Sequence, residues 1–288
     1  MTRVDSIDDP RLAGYARVGD ERWLAAQGWF VAEGRFVVER LVTTRRQRVL
    51  SLLANEAALA ALGPVLAGFA APIFVCAPRF FERLSGHHFH RGCLALAERP
   101  AAAGALALMA DASTLLVLDR VADADNVGSV FRSALAFGVD ALWLGPGCAD
   151  PLARKAIRTS MAATLRVPFA RLSRHDGGPG AFQAPASGAP ESTAAEPEPG
   201  WPGCLAALRD RGFSLFGLSP RDPARDLSEQ APPGAQRFAL VIGSEGAGLS
   251  SEVEALASTR LRIAMRPGVD SLNLGVAAGI ALHWLMRR

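Results

Sequence analysis

The chain has 288 residues, half of them hydrophobic, which is enough to bury one large core or two modest ones. Its 31 basic and 28 acidic residues leave a net charge of +3, which permits an anionic partner without demanding one. Four widely spaced cysteines (Cys76, Cys93, Cys148, Cys204) contain no CxxC pair, which argues against a zinc ribbon or a disulfide framework and fits a reducing compartment.

The acidic N-terminus lacks an apolar signal-peptide core, so a soluble, cytoplasmic protein is expected. After Trp29, residues Phe30–Gly34 lead into a helix-like run, Arg35–Leu41. Arg45, Arg46 and Arg48 follow as a basic cluster, and Val49–Leu53 reads as a strand. Ala57–Pro78 is uncharged and long enough to span a bilayer, but Gly63-Pro64, Gly68, Pro72 and Pro78 break it. It reads instead as a buried helix, a turn and a strand at Pro72–Ala77, followed by a short helix at Pro78–Leu84. His87-His88-Phe89-His90 suggests a metal only weakly, because no partner ligands lie nearby, and no metal is expected. Gly92–Ala97 is a further apolar strand, closing an α/β unit assigned to residues 1–100.

Pro100–Ser113 is Ala/Gly-rich, a linker or a linking helix, and 101–113 is taken as the connection. The second unit, 114–288, begins with Leu115–Asp119, a continuous apolar run of the kind buried in parallel sheets. A helix at Asn126–Phe137, a strand at Ala141–Leu144, a helix at Leu152–Thr159 and a strand at Val167–Ala170 follow. The composition of 173–203 is dominated by Gly, Pro, Ala, Ser and Glu and predicts a disordered insertion. Beyond it come a helix (Cys204–Arg211), strands at Ser214–Leu218 and Phe238–Ile242, a helix near Ser250–Ala257, a strand at Leu261–Ala264 and a terminal helix. Strands and helices alternate throughout, which predicts a parallel sheet with helices on both faces.

Three segments carry chemistry. In the first, Asp119 to Ala134, an apolar stripe (Val127, Val130, Phe131, Ala134) is backed by Asn126, Ser129, Arg132 and Ser133. Asn126 stands where an N-cap belongs, and the helix follows a strand's carboxyl end, where open α/β sheets place ligands. The second, Leu240-Val241-Ile242-Gly243-Ser244-Glu245-Gly246-Ala247-Gly248-Leu249, ends a buried strand in three glycines that let a ligand approach the backbone. It matches neither a dinucleotide fingerprint nor a phosphate-binding loop. Glu245 there is either an anchor for backbone N–H groups, the favoured role, or a site carboxylate. The third, Ile263 to Ile280, runs from an apolar strand through Pro267-Gly268 to Ser271-Leu272-Asn273 at the entrance of an apolar helix.

In order and spacing these segments resemble the motif set of the SpoU/TrmH family of RNA 2′-O-ribose methyltransferases, over about Leu115 to Met286. The N-terminal unit resembles the L30e-like substrate-binding domain found ahead of it, on Phe30–Gly34 and Arg91-Gly92-Cys93-Leu94-Ala95. The resemblance implies an α/β fold with a parallel-sheet trefoil knot (the SPOUT type), an exception to the rule against threaded chains. It implies S-adenosyl-L-methionine as cofactor, held at Leu144, Gly145, Gly243, Ile263, Met265 and Leu272. Arg132 is implied nearest the reaction, with Asn126, Ser271, Asn273 and Glu245 completing the catalytic set. RNA is the implied substrate, ribosomal favoured over transfer RNA by the extra domain, and the assembly a homodimer packed through the knotted region. No membrane is implied.

The segment Pro151–Ala163 also resembles a family segment, and Arg154, Lys155 and Arg158, with Arg45 and Arg46, are candidates for RNA phosphates. A solvated basic helix face accounts for Arg154, Lys155 and Arg158 equally well. Ala124, Ala162 and Ala264 depart from the family's usual proline, glycine and proline. An inactive knotted RNA-binding or ribosome-assembly protein is the alternative reading, and intact Asn126, Arg132, Ser271 and Asn273 argue against it. A nicotinamide enzyme lacks its glycine fingerprint.

Overall fold

A computed structural model describes residues 1–6, 8–78, 80–81, 92–174, 200–221, 223–234 and 236–287. The triplet-histidine motif at 87–90, Arg91, the end of the helix expected from Pro78 and most of the 173–203 segment lie outside these residues. Contacts divide the chain into two units, one of Met1–Ala101 with Pro151–Arg166, the other of Ala102–Asp150, 167–174 and 200–287.

The first unit holds a five-stranded sheet ordered β1-β4-β3-β5-β2, with β1 Thr2–Arg3, β2 Trp29–Glu33, β3 Val49–Ala54, β4 Ile73–Val75 and β5 Cys93–Glu98. Its helices are α1 Ala13–Ala16, α2 Glu21–Ala26, α3 Arg35–Thr44 and α4 Glu56–Leu62. The sheet is mixed: β5 runs antiparallel to both β2 and β3, while β1, β4 and β3 are parallel. The parallel sheet expected from alternation therefore fails here, because β5 inserts between β2 and β3 rather than extending an edge. Tyr15 is fully buried beneath it, its hydroxyl 2.8 Å from Ser51 Oγ and accepting from the Leu96 amide. Burial pushes the Tyr15 phenol well above its ordinary pKa.

The second unit contains α5 Ala105–Ala110, β6 Thr114–Asp119, α6 Ala124–Phe137 and β7 Ala141–Leu144. Then come α7 Arg154–Thr159, which groups with the first unit, and β8 Phe169–Arg171. The remainder is α8 Gly203–Asp210, β9 Ser214–Leu218, β10 Arg225–Asp226, β11 Phe238–Gly243, α9 Ser251–Leu256, β12 Thr259–Arg262 and α10 Leu274–Leu285. Its seven strands are ordered β10-β12-β9-β11-β6-β7-β8, and every neighbouring pair is parallel. Alternate residues of the central strands (Leu115, Val117, Ala141, Trp143, Ala239, Val241) pack with α5, α8 and α9 on one face. The other face receives the apolar stripe of α6, where Phe131 meets Phe169 edge-on at 5.7 Å.

Two expectations need correction. The helix after β6 begins at Ala124 with Asp123 as its N-cap, the Asp123 carboxylate accepting from Asp125 N–H, so Asn126 lies inside the first turn and is buried. Asp123, Asp125 and Asn126 are all good capping residues, and burial of Asn126 selects among them. The linear division placed Pro151–Arg166 in the second part. By contacts it belongs with the first, since Arg154 and Arg158 lie 3.6 and 3.8 Å from Glu33, a buried carboxylate at the end of β2. Among the described residues no helix is long and apolar enough to cross a membrane.

Candidate active site

Parallel strands that end in register leave backbone groups exposed at their carboxyl edge. Gly243 of β11 is level with Asp119 of β6, and Ile242 with Leu218 of β9. Beyond this edge lies a cleft of about 670 Å³, its open mouth included. Four stretches line it: Leu218–Arg221 after β9, Ile242–Gly246 with Gly248, Ile263 with Met265 after β12, and Ser271, Leu272, Leu274 and Ala277 around the start of α10. Aliphatic and methionine side chains dominate the floor, and glycine backbone forms one wall, a surface suited to a flat heteroaromatic group.

The glycine wall is tightly folded. A Cβ on Gly243 would fall 2.2 Å from the Gly248 carbonyl, so no side chain fits there. Gly248 adopts φ +71° and returns its N–H to Ser244 O at 2.8 Å, closing a short loop. The loop is pinned from β6: buried Asp119 accepts from Ser250 N–H at 2.7 Å, and Arg120 donates to Gly248 O at 3.4 Å. Glu245, expected as the anchor, is exposed on the rim and makes no hydrogen bond among the described residues. Asp119 does that work because its place at the strand end brings it to the far side of the loop.

Beside the cleft, α6 and α10 meet through small and polar residues. Asn273 caps α10, its Oδ1 accepting from Gly275 and Val276 N–H at 3.0 and 3.3 Å, and its Nδ2 donates to Asn126 Oδ1 at 3.2 Å. A Cβ on Gly275 would lie 2.2 Å from Ser129 Oγ, so the absence of a side chain lets the helices approach here. Four residues on, Gly279 faces Ser133 at an ordinary 3.5 Å. Arg132 is exposed and carries no hydrogen bond or ion pair among the described residues. It lies about 9 Å along the helix from Asn126 and about a third of a turn around it. Cys148, beneath this edge, donates to Leu118 O and accepts from Val121 N–H, and burial pushes its thiol up to about 11. It stays protonated near neutrality and is no nucleophile.

The sequence model of the SpoU rRNA Methylase family matches residues 113–178 and 173–283, which together span most of this second unit. The chain belongs to that family. An uncharacterized tRNA/rRNA methyltransferase of Mycobacterium bovis is 36% identical over 247 residues, covering 85% of this chain and 76% of the relative. The 23S rRNA (guanosine(2553)-2′-O)-methyltransferase RlmP of Bacillus subtilis is 27% identical over 177 residues, covering 62% of this chain and 59% of its own. In fold, an AdoMet-bound rRNA methyltransferase from Sinorhizobium meliloti superposes with a TM-score of 0.76 at 18% identity, over 99% of this chain and 97% of that one.

For this SpoU family chain, the cleft brings together Gly243, Ile263, Met265, Leu272, Ser271 and Glu245 of the residues singled out from sequence. Asn273 and Asn126 stand next to it as a hydrogen-bonded pair. Leu144 and Gly145 are not in its lining: Leu144 is buried in β7, and the Trp201 ring lies against Gly145, 2.9 Å from where a Cβ would stand. Sequence reading missed Leu218–Arg221, whose signal was its place at a strand's carboxyl end, and the Asp119–Arg120 pin.

Arg154, Arg158 and Arg46 of the basic candidates have structural partners. Arg154 and Arg158 face Glu33, and Arg46 donates to Arg166 O. Arg45 is exposed and ends α3 in a left-handed conformation, φ +51°. Lys155 is an exposed residue of α7. Among the departures, Ala124 is the first residue of α6, a position proline tolerates. Ala162 adopts φ +67°, so its backbone takes the conformation glycine favours. Ala264 is exposed and outside the cleft.

Proposed function

We propose that the chain is an S-adenosyl-L-methionine-dependent RNA 2′-O-ribose methyltransferase acting on ribosomal RNA as a homodimer. The observation that carries the reading is the juxtaposition of the glycine-walled apolar cleft, lined by Ser271 and Leu272, with the adjacent Asn126–Asn273 pair. The helix of Asn126 also carries Arg132, exposed and without a partner among the described residues. The cleft suits the cofactor: its floor is apolar, and Gly243 lets the Gly248 backbone pack against it to form a side-chain-free wall. The cofactor supplies an electrophilic sulfonium methyl group.

The chain's own residues bind and orient. Gly243, Ile263, Met265 and Leu272 would hold the adenosine portion, and the Asn126–Asn273 bond fixes the starts of the two helices next to the cleft. A guanidinium keeps its proton, so Arg132 acts as a cation rather than as a base. It binds the phosphate next to the target ribose and stabilises charge developing on the 2′-oxygen. With the cofactor bound, its sulfonium methyl would be the group accepted by the ribose 2′-oxygen, whose proton would pass to water. Fixing the two reactants in line contributes much of the acceleration.

The likeness to RlmP favours 2′-O chemistry and ribosomal RNA, and the first unit is read as the RNA-substrate domain that an L30e-like resemblance suggests. Exposed Val276 and Ile280, one turn apart on α10, together with exposed Val269, favour a dimer packed through this region, which the family resemblance makes the knotted one. Incubation with radiolabelled S-adenosylmethionine and separated ribosomal and transfer RNA tests the reading, with Arg132→Ala beside it. Label in ribosomal RNA, resistant to alkali as a 2′-O-methyl and absent with the variant, is the expected result. Cofactor binding without transfer to any RNA would favour the inactive RNA-binding alternative.

A further inference from the structure

The cleft's lining contains two charged side chains, Arg221 and Glu245, and both flank Gly246. Glu245 precedes Gly246 in the chain, and Arg221 donates from Nη2 to Gly246 O at 3.3 Å. The turn that delivers Arg221 is held in place, since Ser219 is buried, its N–H donates to Leu261 O at 2.9 Å, and its Oγ accepts from Arg221 N–H at 3.3 Å. One long hydrogen bond occupies one of the guanidinium's five donors. Among the described residues the others have no partner and remain for a ligand at the rim, and an acidic group stands on the other side of the same glycine.

A ligand that fills such a cleft must be apolar and flat at one end and carry both signs of charge at the other. S-adenosylmethionine has that shape: an adenosine portion, then an amino-acid end with a carboxylate and an ammonium group. We propose that Arg221 is a cofactor-binding residue that receives the carboxylate of the cofactor's amino-acid end, with Glu245 facing its ammonium group. This rests on the cofactor reading of the cleft and adds to it a charged side-chain subsite. Arg221 did not stand among the expected cofactor ligands because it lies outside the three motif segments, and Glu245 was read as an anchor or catalytic group instead.

Two ligands separate the parts. S-adenosylhomocysteine carries the amino-acid end, whereas 5′-methylthioadenosine retains the adenosine and thioether and lacks it. Calorimetric titration of the full chain with each, for the unaltered protein, Arg221→Gln and Arg221→Lys, is the test. Arg221→Gln is expected to weaken S-adenosylhomocysteine about ten-fold, as loss of a charge-assisted hydrogen bond does, while 5′-methylthioadenosine changes less than about two-fold. Arg221→Lys is expected to recover part of the loss. Equal weakening of both ligands would show that Arg221 only shapes the Gly246 loop, and no weakening of either would remove it from the site; both results overturn the proposal. If the unaltered protein binds neither ligand, the cofactor reading itself fails. If it binds 5′-methylthioadenosine as tightly as S-adenosylhomocysteine, that reading stands and the subsite does not.

Discussion

Arg132 and the pair Arg154 and Arg158 looked alike in sequence, each an arginine on a helix after a strand. Arg154 and Arg158 share the carboxylate of Glu33, a group only 5% exposed at the end of β2. Arg132 is exposed with no such partner among the described residues. A buried carboxylate is costly without a counter-charge, so removing either side of that cluster is a stability event. An exposed arginine without a partner among the described residues contributes nothing comparable to folding and is available for an incoming anion. The identity of the residue says little; the presence of a buried partner decides its role.

The sharpest way to break this comparison is to truncate each arginine in turn. Arg132→Ala is expected to lower methyl transfer by about 10²- to 10³-fold, the range for losing one preorganised charge at a reacting oxygen, with thermal unfolding unchanged. Arg158→Ala is expected to do the reverse, keeping transfer within a few-fold while lowering stability. Initial rates with labelled cofactor and melting curves on the same preparations decide it, and equal losses of activity would erase the distinction.

The helix pair that presents Arg132 gives the next largest effect. Alanine favours a helix interior over glycine by about 1 kcal/mol, so Gly279→Ala, with only an ordinary contact to Ser133, is expected to stabilise by up to about that amount. Gly275→Ala must instead displace Ser129 and is expected to destabilise by about 2 kcal/mol, since overpacking outweighs propensity. Urea unfolding of the two variants checks the opposite signs. Gly275→Ala should also lower transfer, because Ser129 bonds Asn126 O at 3.0 Å and Asn126 bonds Asn273.

On the other side of the comparison, Glu33→Gln keeps the shape and removes the charge facing Arg154 and Arg158. Both arginine side chains are partly solvated, at 26% and 41% exposure, so the expected cost is about 1 kcal/mol rather than that of a fully buried pair. Methyl transfer should survive. A stability change near zero would mean that α7 is held on β2 by apolar packing alone.

What could be read from sequence divides along the same line. β7 and β9 were legible to the residue, because apolar runs bounded by turn residues announce buried strands. The glycine wall was legible because three glycines after a strand serve few other purposes. Asn273 was legible as a cap. The position of β5 between β2 and β3, the pairing of Arg154 with Glu33, and the Asp119 pin depend on residues brought together from distant places in the chain: Asp119 and Ser250 are 131 residues apart. Local pattern carries no information about such partners. Asn126 was half legible: it was read at the start of this helix, but its place was taken for the cap that Asp123 occupies.

The smallest effect concerns the turn after α7. Met161 and Ala162 both take positive φ, +53° and +67°, before the short helical turn Ala163–Leu165. A left-handed conformation costs a residue with a Cβ about 1 kcal/mol or more, which glycine escapes. Ala162→Gly relieves that strain but frees the unfolded chain and gives up a buried methyl, each worth up to about 1 kcal/mol in the opposite direction. The terms nearly cancel, and the expected change is within about 0.5 kcal/mol of zero by the sums just given. Ala163→Gly, at a neighbouring buried position in the turn, has no strain to relieve and should lose about 1 kcal/mol. Denaturant midpoints for the pair measure the strain at Ala162 by difference. Equal losses at both positions would mean that the turn accommodates alanine at 162 without penalty.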